Sequence, residues 1–388
     1  MDRLAPRENN DWHLLYKMTW ELTPQKKLFI SYDASMNINQ GYYMPRAFAS
    51  TYFPYQYMNI LDNYNTITRD TRLINMNWTH TLSPKSFYEF TLGKFSTMEH
   101  SAVQDLPWTD YQERLDLEPI NYNIDNTDQD GNIQITYGDE FYDTGFAPEW
   151  YDLSSENTRM DIDWTYHTET RHKLKTGFEH TITDIQVLDI DEPWSGSSGF
   201  GANYDSYNAK TYFGAFYFQD RIIFEGMTLN IGFRTDYWIP GRYVEDAIQD
   251  TSNIIITDEA RVIFEEETFD FPWAGDPFKM KARISPRFGI SHPVTDNDVL
   301  YFYYGHFSQL PTFQYVYAKI NSKSQSTYQV FGNPNLNPKT TVQYELGVKH
   351  RFSEDQVLEL KAYWKDMFDY ETSQTIRPSN PKYAHLSF

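Results

Sequence analysis

Long stretches of this sequence alternate between apolar and polar residues, and this pattern constrains the fold more than any other feature. Around "SPRFGISHPV" (Ser285 to Val294), one parity is apolar and the other polar: Ala282, Ile284, Phe288 and Ile290 oppose Arg283, Ser285, Arg287, Gly289 and Ser291. A period of two predicts a β-strand with one apolar and one polar face. About twelve such segments occur, most of them about ten residues or longer, whereas strands of soluble proteins centre on about 5–6 residues and bilayer-spanning strands need about 9–11.

The connections between these segments alternate in length. One set is short and rich in Pro, Gly, Asp and Ser: "TPQKK", "SPKS", "TETR", "EG", "TDND" and "SEDQ". The other set is long, covering residues 41–71, 103–156, 190–209, 240–280 and 311–339. Long structureless loops are unusual in a soluble domain, whereas outer-membrane barrels have short periplasmic turns and long extracellular loops. The sequence therefore predicts an all-β protein, a transmembrane antiparallel up-and-down β-barrel of about twelve strands with long extracellular loops.

Composition agrees with a membrane barrel and excludes other classes. Aromatic residues make up 18% of the chain and include 31 Tyr, a residue that favours the membrane interface. Mean hydropathy is -0.66 and no apolar run is long enough for a spanning helix. The net charge of -21 argues against a nucleic-acid partner. There is no cysteine, and the N-terminus lacks the apolar segment of a signal peptide.

Several motifs resemble those of a known family. In "NPNLNPKTTVQYELGVKHRF" (Asn333 to Phe352), an Asn-Pro-x-Leu-x-Pro turn precedes a Glu-x-Gly strand, and the segments Tyr212 to Trp238 and Tyr301 to Tyr317 resemble its paired strands. These motifs resemble the barrel of TonB-dependent outer-membrane receptors. The residues that carry the turn-and-strand match are Asn333, Pro334, Leu336, Pro338, Glu345 and Gly347.

The resemblance implies a location and a function. Such receptors lie in the outer membrane of Gram-negative bacteria and take up a scarce solute, such as a siderophore, cobalamin or an oligosaccharide. The implied partners are outer-membrane lipid, the extracellular solute, and the TonB complex acting through a plug domain. The charged residues expected to face the wet lumen include Arg283, Arg287, Glu345, Lys349, Glu359 and Lys361.

The chain also departs from the family pattern. Such receptors carry an N-terminal plug and twenty-two strands, whereas this chain begins in a strand and holds about half that number. We therefore expect residues 1–388 to be one barrel segment without a plug, and a partial barrel would expose two unpaired edges. The alternatives are a self-contained passive pore or adhesin and, from another class, a soluble glycan-binding β-protein.

One long loop contains candidate ligand-binding residues. In "EPWSGSSGFGANYDSY" (Glu192 to Tyr207), three aromatic residues stand among small ones, and aromatic rings in a flexible loop can stack on a sugar or an aromatic siderophore. An equally good reading is a loop with aromatics at the membrane boundary. The candidates are Trp194, Tyr204 and Tyr207.

A second loop contains half of a calcium motif. In "DNTDQDGNI", Asn126, Asp128 and Asp130 alternate and are followed by Gly131, as in the first half of an EF-hand loop. The twelfth position is Tyr137 rather than Glu, so a solvated acidic turn is favoured over calcium binding. No other cofactor is implied.

Two further predictions concern the rest of the chain. The acidic segment from Arg242 to Lys279 is expected to be a solvated outer surface, and no helical period stands out. No set of nucleophile, base and acid is recognisable, so we do not expect an enzyme.

Overall fold

The computed structural model describes residues 9–40, 54–57, 59–117, 121–127, 133–136, 141–195, 200–253, 255–272, 278–320, 331–373, 375–376 and 386–387. Twelve long strands, each of 12 to 22 residues, form one antiparallel meander. Each strand pairs with the next long strand along the chain, as an up-and-down barrel wall requires. The long strands are β1 (Asn9–Thr23), β2 (Lys26–Asn39), β3 (Thr66–Ser83), β4 (Ser86–Ala102), β7 (Glu149–His167), β8 (His172–Asp191), β9 (Asn203–Phe224), β10 (Met227–Ile239), β12 (Phe278–Pro293), β13 (Asp298–Gln309), β14 (Lys339–Arg351) and β15 (Val357–Phe368).

Shorter elements lie in the connections. A strand of three residues joins the sheet beside β12, and two small hairpins lie apart from it. The short strands are β5 (Asn121–Thr127), β6 (Ile133–Thr136), β11 (Phe269–Phe271), β16 (Thr375–Ile376) and β17 (Leu386–Ser387), and the α-helices are α1 (Arg242–Gln249), α2 (Asp258–Glu267) and α3 (Phe313–Tyr317). Single turns of 3-10 helix cover Pro54–Tyr57, Leu61–Asn63 and Trp108–Asp110. Among the described residues, no helix is long and apolar enough to cross a membrane.

The predicted alternation of short and long connections is confirmed. Tight turns join β1 to β2, β3 to β4, β7 to β8, β9 to β10, β12 to β13 and β14 to β15, so all of them lie at one end of the sheet. Three of these turns have only two residues, and at one of them, Glu225–Gly226, both residues have positive φ, as a type I′ hairpin turn requires. The five long connections all leave from the opposite end, which we call the loop end.

The two faces of the sheet differ in chemistry, as the alternation predicts. We call the face that carries Arg159 and Arg234 the polar face and the opposite one the apolar face. On the apolar face, large side chains are open to the surroundings over most of the sheet, for example Trp20 at 55% and Trp364 at 66% exposure. A water-soluble protein rarely exposes an apolar surface of this extent.

At the loop end, the chain folds back over both faces. On the polar face, α1, α2 and α3 pack onto β8, β9 and β10 around Trp238, Val244, Phe264 and Tyr317. We call this unit, formed by the described parts of residues 240–272 and 310–338, the cap. On the apolar face, loop residues such as Tyr57 and Tyr111 pack against Trp150 and Ile190. We call this second cluster the shoulder.

The cap corrects two sequence predictions. Residues Arg242 to Lys279 are not simply a solvated acidic surface, because α1 and α2 bury Glu245 and Phe264 there. Helix α1 is preceded by Gly241, whose φ is 99° and where a β-carbon would collide with the carbonyl oxygen of Lys210. The two helices have only 8 and 10 residues, which is too short for their helical period to stand out in a segment rich in acidic residues.

Candidate functional site

A network of ion pairs extends across four neighbouring strands, from β7 to β10, on the polar face. The Arg159 guanidinium lies 2.9 Å from Asp161 and 3.0 Å from Glu179 on the next strand. Arg234 pairs with the same Glu179 and lies 2.6 Å from Asp236. Every carboxylate in this network contacts a guanidinium, so the wall presents charges in fixed positions, two positive and three negative.

Two clefts on the polar face meet at this network. One has a volume of about 500 Å³ and extends towards β12 and the cap. The other has a volume of about 420 Å³ and extends across β4 to β3, where Leu73 and Phe95 form an apolar floor. Both clefts are lined by Arg159, Thr181 and Phe213, so together they form one groove across the strands.

The cap closes the loop-end side of the first cleft and is tied to the sheet by buried polar contacts. The backbone N–H of Lys319 in the cap donates to the carboxylate of Asp205 on β9 at 3.1 Å. Lys281, whose side chain is 5% exposed, donates to the carbonyl oxygens of Asn335 and Leu336 and pairs with Glu267 at 3.4 Å. The Asn-Pro-x-Leu-x-Pro turn is therefore held in place by a lysine of β12.

The three predicted ligand-binding aromatics do not converge. Trp194 and Tyr204 pack against the shoulder, whereas Tyr207 lies in the cap core with its ring 6.2 Å from those of Tyr243 and Tyr317. Strand β9 begins at Asn203, so Tyr204 and Tyr207 belong to a strand and not to a flexible loop. Being three residues apart, they point to opposite faces, and whether any of the three binds a ligand stays a prediction.

Burial changes the acidity of the tyrosines in these loop-end clusters. Burial raises the pKa of Tyr111 from 10.0 to about 12, and the hydrogen bond that its oxygen accepts from the Val103 N–H opposes this shift only in part. Burial, with a smaller effect of the Asp205 carboxylate, also raises the pKa of Tyr243. These phenols are therefore neutral at physiological pH.

Comparison with known proteins identifies the family. The family model described as TonB dependent receptor-like, beta-barrel matches residues 19–384. The chain belongs to this family. Its members are transport receptors of the outer membrane of Gram-negative bacteria. Comparison with curated proteins found no match.

Solved structures of receptor barrels share the fold. The outer membrane transporter YddB from Escherichia coli aligns with a TM-score of 0.60 at 12% identity, over 98% of this chain and 43% of its own. The ferric enterobactin receptor PfeA from Pseudomonas aeruginosa aligns at 0.56 and 14% identity, over 98% and 46%. The ferric-catecholate import receptor Fiu from Escherichia coli aligns at 0.52 and 14% identity, over 99% and 54%.

The alignments cover only part of each solved receptor, and membership of the family assigns the two faces of the sheet. The receptor barrel described here spans about half the length of the solved proteins it matches, and at such identities the likeness concerns the fold alone. In a TonB-dependent receptor barrel, the polar face lines the lumen and the apolar face meets lipid.

The charged residues predicted for the lumen of the receptor barrel share its polar face. Residues that lie directly opposite each other on neighbouring strands share a face. Arg287 lies opposite Gly232 of β10, Tyr303 opposite Glu345, and Lys349 opposite Glu359. Lys361 and Glu359 form an ion pair at 3.1 Å, and the Tyr301 hydroxyl donates to the same carboxylate.

The sequence did not single out the network or the groove. Arg159, Asp161 and Arg234 were visible as polar positions of alternating strands, but nothing in the sequence indicated that they meet across β8 and β9. One signal could have found them: charged residues separated from their tight turns by similar numbers of residues are expected at similar heights on the sheet.

The calcium prediction cannot be placed. Asp128 and Asp130 lie outside the described residues, as does the side chain of Asn126. Within the part of the chain that is described, no group of three acidic or histidine residues is arranged to hold a metal ion. Calcium binding by the Asn126–Asp130 loop stays a prediction.

Proposed function

We propose that this chain forms part of the barrel wall of a TonB-dependent receptor that takes up a scarce solute under energy supplied by the TonB complex. The solute is of the class of siderophores, cobalamin or oligosaccharides, and a plug domain would gate its passage. The observation that carries the proposal is the lumenal groove at Arg159, Thr181 and Phe213, in a barrel that belongs to a family of transport receptors.

The groove offers two kinds of contact to such a solute. Phe213, Leu73 and Phe95 supply apolar surface, and the side chains of Arg159 and Glu179 supply hydrogen-bonding groups held in fixed positions by their ion pairs. A few oriented polar groups among apolar side chains are typical of small-molecule sites. Tyr207 is buried in the cap, so we assign it a supporting role behind the groove.

The test is solute uptake by cells carrying the complete receptor gene. We expect uptake of one solute from a panel of ferric siderophores, cobalamin and maltooligosaccharides, and we expect this uptake to stop when TonB is deleted. Uptake that persists without TonB would instead support the passive pore. Binding of cells to a surface without uptake of any solute would support the adhesin.

A matched pair of variants tests the groove itself. Phe213 lies on the lumenal face of β9 and Phe216 on its lipid face. We expect Phe213→Ala to weaken solute binding roughly tenfold, through the loss of about 1–2 kcal/mol of apolar contact, and Phe216→Ala to leave it unchanged. Equal binding by both variants would move the solute site away from the groove.

A further inference from the structure

On the lipid face, five neighbouring strands carry polar residues side by side. Arg72 of β3 lies opposite Ser96 of β4, Ser96 opposite Glu156 of β7, Glu156 opposite Asp184 of β8, and Asp184 opposite Lys210 of β9. We call these five residues the polar row. Two further charged residues lie on the same face. Lys94 is two residues from Ser96 towards the tight turns, and Asp70 is two residues from Arg72 towards the loop end.

The polar row separates two apolar regions of the lipid face. Towards the tight turns, the same face carries Leu92, Ile162 and Phe216, which are open to lipid. Towards the loop end, it carries Trp150 and Ile190, which the chain's own loops cover in the shoulder. The row therefore marks where the barrel leaves the hydrocarbon.

Strand geometry gives the height of the row. Arg72 precedes the end of β3 at Ser83 by 11 residues. At a rise of about 3.3 Å per residue and a tilt of about 40°, this distance corresponds to roughly 28 Å along the membrane normal. The apolar band of an outer-membrane barrel is about 25 Å tall, so the row lies at the level of the outer-leaflet headgroups.

The cations of this region are open to the surroundings. Arg72 is 60% exposed, whereas its partner Asp70, 2.6 Å away, is only 20% exposed. Lys94 pairs with Glu156 at 2.9 Å, and both side chains are half exposed. Lys210 is exposed and makes no ion pair within the described part of the structure. Long Arg and Lys side chains at a membrane boundary extend towards the headgroups, where phosphate is the available anion.

We propose that Arg72, Lys94 and Lys210 bind the phosphate groups of a phosphorylated outer-leaflet lipid. The ligand is recognised by a phosphate at the top of the hydrocarbon, with its acyl chains against the apolar residues below. The carboxylates of Asp70 and Glu156 hold Arg72 and Lys94 by ion pairs. Together with Asp184 they weaken the attraction of free anions in solution. This site is independent of the identity of the transported solute.

The test uses the complete receptor in detergent and lipid A as the probe, with bound lipid counted by native mass spectrometry. We expect bisphosphorylated lipid A to bind, and the same lipid without its phosphates to bind roughly 10- to 100-fold more weakly. Inorganic phosphate at the same concentration should not displace it. Equal binding of the two lipid forms by the unmodified receptor would overturn the proposal, and this comparison needs no variant to fold.

Variants then locate the site. We expect the combined change Arg72→Gln, Lys94→Gln and Lys210→Gln to abolish the preference for phosphorylated lipid A, and the variant Arg72→Lys to keep most of it. The matched control is Lys349→Gln, which removes a lysine from the lumenal face. A preference that survives the triple change, or that Lys349→Gln reduces equally, would show that the phosphates bind elsewhere.

Discussion

Four glycines of the sheet lie beneath tyrosine rings of neighbouring positions or strands. The pairs are Gly177 with Tyr217, Gly214 with Tyr237, Gly305 with Tyr303, and Gly347 with Tyr301. In each pair, a β-carbon on the glycine would collide with the ring. Because the ring occupies the space next to the glycine, it covers hydrogen-bonded backbone that the small residue would otherwise expose.

The variant Gly347→Ala tests this arrangement. The new methyl group would displace the Tyr301 ring, whose hydroxyl donates to Glu359, and we expect a loss of about 1–3 kcal/mol. The control is Gly289→Ala, since a β-carbon there meets Tyr303 at an ordinary 3.5 Å. Unfolding of the complete receptor in detergent and urea measures both, and equal stabilities would contradict the prediction.

The variant Lys281→Met tests the anchor of the cap. Removing the ammonium leaves the carbonyl oxygens of Asn335 and Leu336 without this donor, and we expect a local loss of about 2–3 kcal/mol. Limited proteolysis should then cut faster within residues 331–338 while the strands remain protected. Lys365→Met, an exposed position on β15, is the control and should leave the cleavage rate unchanged.

At the scale of elements, the strands and the loop-end clusters obey different rules. The long strands follow the alternation of the sequence, so the alternation alone tells which side chains lie on the polar face and which on the apolar face. The cap and the shoulder are held by buried side chains from distant loops, among them Tyr317 and Tyr111. The stability of the cap and the shoulder therefore depends on the protonation and the hydrogen bonds of side chains at the loop end.

Alkaline pH should weaken the shoulder first through Tyr111. Its pKa is raised to about 12 in the folded protein from 10.0, so the folded state holds the proton more tightly than the unfolded state. The corresponding stabilisation is complete below pH 10 and is lost as the pH rises from 10 to about 12. Tyrosinate absorbance should show a late transition shared by the buried tyrosines, and Tyr111→Phe should reduce its amplitude by one tyrosine. An unchanged titration in that variant would assign the transition to other tyrosines.

A charge on the lipid face of β7 should hinder membrane insertion. We expect Ile162→Lys to cost about 2–4 kcal/mol at mid-bilayer and to reduce the amount of folded receptor in the outer membrane. Thr91→Lys is the matched control, because Thr91 lies on the lumenal face opposite Asp161. Heat-modifiable mobility on gels reports both, and similar amounts of folded protein would reverse our assignment of the faces.

At the scale of the whole molecule, the described sheet has two open edges. Strand β1 pairs only with β2, and β15 only with β14, among the described residues. Both edge strands are exposed along nearly their full length. Unpaired backbone groups cannot be satisfied by lipid, so these edges need further strands or each other.

Expression of residues 1–388 alone tests this need. We expect aggregation or an open, curled sheet in detergent, because both edges offer donors and acceptors to other chains. Size-exclusion chromatography should show a broad, high-mass species, and the complete receptor is the control. A monodisperse, heat-modifiable product from the short chain would support closure of β1 onto β15 and the passive-pore alternative.

Much of the fold was determined by the sequence itself. A period of two, continued through segments such as Met227–Ile239 and Lys339–Arg351, fixes the strand, its length and its two faces, because side-chain direction follows directly from backbone geometry. The tight turns follow from local residue chemistry, as at Glu225–Gly226. The motif from Asn333 to Gly347 indicated the family, which the match over residues 19–384 confirmed.

Only the tertiary structure decided which distant residues meet. Glu179 joins Arg159 to Arg234 because the four consecutive strands β7 to β10 are in register, and no local pattern encodes register between strands so far apart in sequence. The helices of the cap form where Ile185, Ala209 and Trp238 of the sheet offer an apolar surface, although the segment of α1 and α2 is acidic. Tyr204 and Tyr207 are close in the sequence, but both belong to β9, which begins earlier than the loop-like composition suggests and directs them to opposite faces. Local chemistry sets direction and turn, whereas the site depends on contacts that exist only once the sheet has formed.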